Sequence, residues 1–94
     1  MQIIRTEEYQ KELLIILKHI VKDKISASKK FKKDLNIQIN KIPTFPYKYR
    51  ASYYFDDENI RDMIFKSYTI NYEIDLNKNT IFMLSIFNQN KPSQ

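Results

Sequence analysis

The hydrophobic pattern of this chain changes period part-way along. Between Thr6 and Ile42 apolar residues recur at helical spacing, whereas between Ile60 and Phe87 they alternate or run together. Helices in one half and strands in the other predict an α+β domain rather than a bundle or a sandwich.

The first half reads as two helices. At about 100° per residue, Tyr9, Leu13, Leu14, Ile16, Leu17, Ile20 and Val21 fall in one arc of roughly 160°. Glu8, Lys11, Glu12, Lys18, His19 and Lys22 fill the rest, with Ile15 stranded among them. This predicts a helix from about 6 to 22, with Thr6 as its N-cap and Glu7 and Glu8 near its positive end. After the short link Asp23–Ser26, Ser26 is placed to cap a second helix. There Ala27, Phe31, Leu35, Ile39 and Ile42 share a face, opposite Lys29, Lys30, Lys32 and Lys33, and Ile37 lies on the polar arc. Pro43 ends this helix at Ile42 or just before it. So short a link implies an antiparallel hairpin.

The strands are Gln2–Arg5, Ile60–Lys66, Tyr68–Asp75 and Thr80–Phe87. The third alternates Tyr68, Ile70, Tyr72 and Ile74 with Thr69, Asn71, Glu73 and Asp75, as a half-buried strand does. The last is almost wholly apolar and is expected at the centre of the sheet. The expected order is β-α-α-β-β-β, an antiparallel-rich sheet with the helical hairpin packed on one face and the other face open to a partner. The 94 residues fit one domain, taken as 1–90, with a polar tail at 91–94.

Composition excludes much chemistry. With no glycine there is no P-loop and no dinucleotide-binding turn. Asp56, Asn59, Asn77 and Asn79 are expected in the turns instead, asparagine being the next most tolerant of positive φ. With no cysteine and a single histidine, His19, there is no disulfide, thiolate metal site or proton relay. No metal site, cofactor or catalytic residue is assigned. The longest apolar block, Leu13–Leu17, is far below the ~20 residues of a membrane span. The N-terminal apolar run is too short for a signal peptide. These features suit a cytoplasmic protein with no membrane partner.

The net charge of +5 is uneven. Residues 1–42 hold ten basic and five acidic side chains, and residues 43–94 hold six of each. A basic surface attracts nucleic acid or an acidic peptide, although lysines that only keep a helix face solvated fit the same pattern. Arg61 is the cation of most interest. If Ile60 and Ile64 face the helices, Arg61 faces the open side with Met63 and Phe65, beside Lys66. There it can meet partner carboxylates or phosphate, or pair within the chain with Asp62, Glu73 or Asp75. Arg50 lies among Tyr47, Lys48, Tyr49, Tyr53 and Tyr54, which can stack bases or cover a sheet edge. Ile15 and Ile37 are candidate marks of a partner surface.

The landmarks, taken in order, resemble the RelE/ParE superfamily of bacterial toxins. They are the opening strand Ile3-Ile4-Arg5-Thr6-Glu7-Glu8-Tyr9, the proline-bounded helix end Ile42-Pro43-Thr44-Phe45-Pro46, Arg61 on the second strand, and the aromatic alternation from Tyr68 to Asp75 before the apolar Ile81–Phe87. The likeness spans nearly the whole chain and looks closest to the ParE-like, plasmid-stabilisation branch. It implies the toxin of a type II toxin–antitoxin system, neutralised by a cognate antitoxin. In such families ParE-like members poison DNA gyrase, and RelE-like members cut mRNA on the ribosome. Aligned on Tyr68, the nuclease's basic positions fall on or near Ile60, Asp62, Thr69 and Gln89, and no tyrosine follows Tyr72. The resemblance therefore implies gyrase as target, with ribosome-bound mRNA or a non-toxic antitoxin-binding module as alternatives. The expected contact residues are Arg61, Lys66, Ile15, Ile37 and Arg50, with Asn88, Gln89 and Asn90 at the C-terminus, where ParE-like members carry a basic run. A homodimer, or a hetero-oligomer with the antitoxin, is the expected assembly.

Overall fold

A computed structural model describes residues 1–88. In chain order the elements are β1 (Gln2–Arg5), α1 (Glu7–Val21), α2 (Ile25–Lys41), a 3-10 turn (Ile42–Thr44), β2 (Arg50–Ala51), β3 (Ile60–Phe65), β4 (Tyr68–Asp75) and β5 (Thr80–Asn88). They form one five-stranded sheet in the order β1-β5-β4-β3-β2. β1 runs parallel to β5, and every other pairing is antiparallel. This is the α+β architecture expected from the sequence, with one added element. The two-residue edge strand β2 pairs Arg50 with Asp62 and Ala51 with Arg61 inside the stretch read as irregular. Two residues carry too little pattern to be read as a strand.

Thr6 caps α1 as expected. Its Oγ1 accepts the Tyr9 N–H at 3.3 Å. The same hydroxyl donates to the Met83 carbonyl at 2.7 Å, which ties the helix start to β5. The cap expected at Ser26 is absent. α2 begins at Ile25, and Lys24 precedes it without a side-chain cap. Ser28 is the serine put to use: it is buried and donates to the Leu17 carbonyl at 3.3 Å, joining the two helices. Arg5, just before α1, donates to Asn36 late in α2 at 3.2 Å, so the helices run antiparallel.

The core lies between the hairpin and one sheet face. Tyr9 and Leu13 of α1 and Phe31, Leu35 and Ile39 of α2 cover Met63, Ile70, Tyr72, Ile74, Ile81, Met83 and Ile86. Each fully buried aliphatic side chain contributes about 1.5–3 kcal/mol. Phe31 meets Phe65 and Tyr68 edge-on at 5.3 and 5.4 Å. Leu14, placed by its helical angle in the apolar arc, is instead 52% exposed. It lines a groove between the two helices.

Two register features decide which side chains enter this core. The first is in β5. Asn71 pairs with Ser85 but Tyr72 pairs with Met83, which leaves Leu84 as an extra residue. This bulge lets Ile81 and Met83 on one side of it and Ile86 on the other reach the same face. The second corrects the expected facing of β3. Met63 and Phe65 face the helices, and Arg61 shares their face, while Ile60, Asp62 and Ile64 point the other way. β3 has apolar residues on both parities, so its alternation alone does not choose.

The second sheet face is also not the open surface expected. Asp62, Thr69 and Asn71 are buried there. Residues 52–55 fold across it, with Tyr54 edge-on to Phe87 at 5.1 Å. Beneath lies a polar ladder across three strands. Ser85 donates to Asn71 Oδ1 at 2.5 Å, and Asn71 Nδ2 donates to Asp62 Oδ1 at 2.5 Å. Asp62 Oδ2 accepts the Tyr53 N–H at 3.3 Å.

Positive φ occurs at Lys66 (55°) and Asn79 (50°) among the described residues. Asn79 was expected. Asp56, Asn59 and Asn77 need no such backbone, whereas Lys66 does, because only Lys66 and Ser67 separate the paired residues Phe65 and Tyr68. So tight a turn requires the left-handed region even without glycine.

Candidate partner-binding site

β1 accompanies β5 only from Thr80 to Met83. Beyond that point the same edge of β5 meets side chains of the α1 region instead of a strand. Thr6 Oγ1 contacts the Met83 and Leu84 carbonyls, and Glu12 Oε1 accepts the Ile86 N–H at 3.0 Å. Burial pushes the Glu12 carboxyl above its ordinary range, and Glu8 adds to this; the Ile86 N–H pulls the other way. Next to this contact is an open groove of about 340 Å³, lined by Glu12, Ile15, Ile16, His19, Tyr68, Ile86, Phe87 and Asn88. Ile15 is 69% exposed at its rim. The structure thus places Ile15 and Asn88, far apart in sequence, in one groove. Glu12 was missed as a site residue because it reads as one more solvated charge on a polar helix face.

A second groove, about 520 Å³, runs between the helices. Leu13, Leu14 and Leu17 give it apolar walls, and Arg5, Lys11 and Lys32 give it cations. Tyr9 also lines it. That side chain is fully buried and its hydroxyl has no partner among the described residues, so burial pushes its pKa up to about 12. The two grooves flank Leu14 and Ile15, giving α1 an exposed apolar strip with charges beside it. Ile37, 44% exposed on α2, lines neither groove.

The remaining candidates lie elsewhere. Arg61 donates through Nε to the Glu58 carbonyl at 2.8 Å and through Nη1 to the Tyr49 carbonyl at 3.0 Å. Its guanidinium also sits 4.8 Å from the Tyr47 ring centre. None of the carboxylates considered for it, Asp62, Glu73 or Asp75, is its partner in an ion pair among the described residues. Arg61 pins the irregular stretch before β3. Tyr72 helps from below, its hydroxyl donating to the Pro46 carbonyl at 2.5 Å. Arg50, on the opposite sheet face, lies 3.6 Å from Asp62 Oδ2 and 4.3 Å from the ring centre of Tyr53, which is 80% exposed. Lys66 lies at the far end of β3, over Phe31 and Phe65. Gln89 and Asn90 lie outside the described residues, as does the tail 91–94.

The positions aligned with the nuclease's basic groups do not form a cationic site. Ile60 is apolar, and Asp62 and Thr69 are buried under the aromatic segment. No group of three or more metal-ligating side chains forms among the described residues. No helix among them is long and apolar enough to cross a membrane.

Residues 3–91 match the family model of the ParE toxin of the type II toxin–antitoxin system parDE. The chain belongs to the ParE toxin family. It is therefore the toxin of a type II toxin–antitoxin pair, a class that implies a cognate antitoxin. Among solved structures it is similar to one described as the chromosomal ParDE toxin–antitoxin system from P. aeruginosa, with a TM-score of 0.76. Identity is 16%, and the match covers 94% of this chain and 95% of the other, a likeness of fold. No curated protein sequence matches the chain. The strip on α1 and the adjacent β5 edge form an exposed apolar surface beside charged side chains.

Proposed function

We propose that this ParE-family protein acts by binding, with DNA gyrase as its target and a cognate antitoxin covering α1. Family membership over residues 3–91 is the observation that carries this reading. The burial of Asp62 and Thr69 supports occupation of a partner over RNA cleavage, because cleavage requires exposed cations and an acid–base pair at the phosphate. The gyrase contact is assigned to β5 and the C-terminal segment, including Asn88, Gln89 and Asn90. The antitoxin contact is assigned to Ile15 and Leu14, with Arg5, Lys11 and Lys32 meeting acidic side chains. Ile37, Arg50 and Lys66 extend the contact set. In this reading the protein works in the cytoplasm and its pair serves plasmid stabilisation.

The purified protein is expected to block gyrase supercoiling and to cause no codon-specific mRNA cuts when ribosomes are added. Cuts with ribosomes and no effect on gyrase would replace this reading with the ribonuclease one. Neither effect, with tight antitoxin binding, would leave a non-toxic binding module. Ile15→Asp is expected to weaken the antitoxin complex by more than about tenfold, the scale of one truncated hot-spot contact. Unchanged binding by calorimetry would remove α1 from the interface.

A further inference from the structure

The strongest charge imbalance lies at one end of the helical hairpin. Lys18 and Lys22 close α1, Lys24 precedes α2, and Lys29, Lys30, Lys32 and Lys33 follow on its first half. The β3–β4 turn brings an eighth lysine to this end. Lys66 sits 5.9 Å from the ring centre of Phe31, between Lys30 and Lys32 in sequence. The Lys30 hydrogen bond, with the charges of Lys30, Lys66 and Lys33, holds the Asp34 carboxyl below its ordinary range.

All eight lysines are exposed. Of them, only Lys30 forms an ion pair among the described residues, with Asp34 at 3.0 Å. Within 18–34 and at Lys66, eight lysines stand against two carboxylates, Asp23 and Asp34. That surplus of six exceeds the +5 of the whole chain, so the rest of the molecule is slightly acidic. Asp56, Asp57 and Glu58 precede β3 at its other end, roughly 20 Å from Lys66 at about 3.3 Å per strand residue. Lys48, Arg50 and Arg61 offset those carboxylates, so the excess positive charge of the chain is gathered at one pole, the lysine end.

We propose that this lysine pole binds the phosphate backbone of nucleic acid. Lys32 and Lys66 also belong to the contact set assigned above, whereas Lys18, Lys22, Lys24, Lys29, Lys30 and Lys33 lie outside it, so the pole does not depend on that assignment. The chemistry favours phosphate over an acidic protein segment. Lysine is depleted in protein–protein interfaces, whose anchors are aromatic residues and arginine. The pole holds no arginine, and the exposed aromatics Phe45, Tyr47, Tyr53, Tyr54 and Phe55 lie in the segment before β3. Nucleic-acid interfaces are instead strongly positive, and lysine meets a phosphate as a point charge without a fixed partner geometry. Lysines spread over a broad helix arc follow a backbone but read no base.

The test is fluorescence anisotropy of the full chain with a mixed-sequence DNA duplex and a single-stranded RNA of equal length. With about five phosphates neutralised, log affinity for duplex DNA is expected to fall against log salt with a slope of about −4.5. The triple variant Lys24→Glu, Lys29→Glu, Lys33→Glu is expected to bind at least about 50-fold more weakly at low salt and to flatten the slope by about three. A control with the same change in net charge, Lys41→Glu, Lys48→Glu, Lys78→Glu, should lose less than about threefold. Circular dichroism checks the fold. If the glutamate triple loses helix, the glutamine triple at the same positions should still weaken binding about tenfold. Preference for the duplex or for the RNA identifies which nucleic acid supplies the phosphates. Equal loss in pole and control variants would overturn the proposal, as would a flat salt dependence. Displacement of the probe by a polyglutamate peptide at lower concentration than by unlabelled DNA would assign the pole to an acidic protein instead.

Discussion

The two faces of the sheet are built on opposite principles. The helix-facing side is dry, with Leu35, Ile39, Ile70, Met83 and Ile86 all at 1% exposure or less. The far side buries a hydrogen-bonded ladder, Asp62–Asn71–Ser85, under a short aromatic segment. The first face gains from area removed from water, which is tolerant of partner identity. The second depends on each polar group finding its own partner, since an orphaned buried acceptor costs about as much as the network contributes. One side therefore supplies most of the stability. The other fixes where the irregular segment lies.

Substitutions can break this contrast. Leu35→Ala, in the dry layer, should cost about 2–5 kcal/mol in urea unfolding. A loss below that range would mean that the hairpin is loosely held. Asn71→Ala should cost about 1–3 kcal/mol by orphaning Asp62 Oδ1 and the Ser85 hydroxyl. Asp62→Ala added to it should cost less than the sum of the two singles, whereas strict additivity would show that the ladder is not a unit. Arg61→Ala should cost about 1–2 kcal/mol, from two carbonyl bonds and a ring contact. Its distinguishing mark is faster hydrogen exchange in residues 47–59 with the core amides unchanged. Should antitoxin affinity or toxicity fall while that loop stays protected, Arg61 would act on a partner as well as on the fold.

The smallest expected effect is at the β5 edge. Glu12→Ala should cost about 1 kcal/mol through the lost Ile86 contact. Glu12 also gives a pH signature. Its carboxyl titrates above the ordinary value in the folded state, so its contribution is fully present below the unfolded carboxylate pKa. That contribution is lost as pH rises through the raised folded value. Stability relative to Glu12→Gln should therefore decline from about pH 4 upward, the ordinary carboxylate range. A difference that grows with pH would instead make the Ile86 hydrogen bond dominant over burial.

Local pattern was a sound guide where each residue's environment is set by its own periodicity. Thr6 with Glu7 and Glu8 marked the start of α1, and the polar arc correctly held Ile15. Phe31, Leu35, Ile39 and Ile42 all reach the core as their spacing implied. The alternation of Tyr68, Ile70, Tyr72 and Ile74 correctly named the inward face of β4, and the apolar run Ile81–Phe87 marked an interior strand, although β4 and not β5 holds the centre of the sheet. The site was less legible. Ile15 was found because an isolated aliphatic on a polar face is visible in sequence. Glu12 was not, because its partner Ile86 is 74 residues away.

By itself, then, the sequence determined the helices, three of the four strands beyond them in outline, the basic first half and the absence of glycine- and thiol-based chemistry. These follow from side-chain spacing and composition, which act within a turn or two of the chain. Only the tertiary structure decided the facing of β3, the bulge at Leu84, the short strand β2, the left-handed Lys66 and the covering of the second sheet face. Each of these depends on a neighbouring strand or loop that supplies the missing hydrogen bonds and excludes water. Alternation cannot choose a face when Ile60 and Ile64 compete with Met63 and Phe65, so packing against Phe31 and the ladder through Asp62 made that choice.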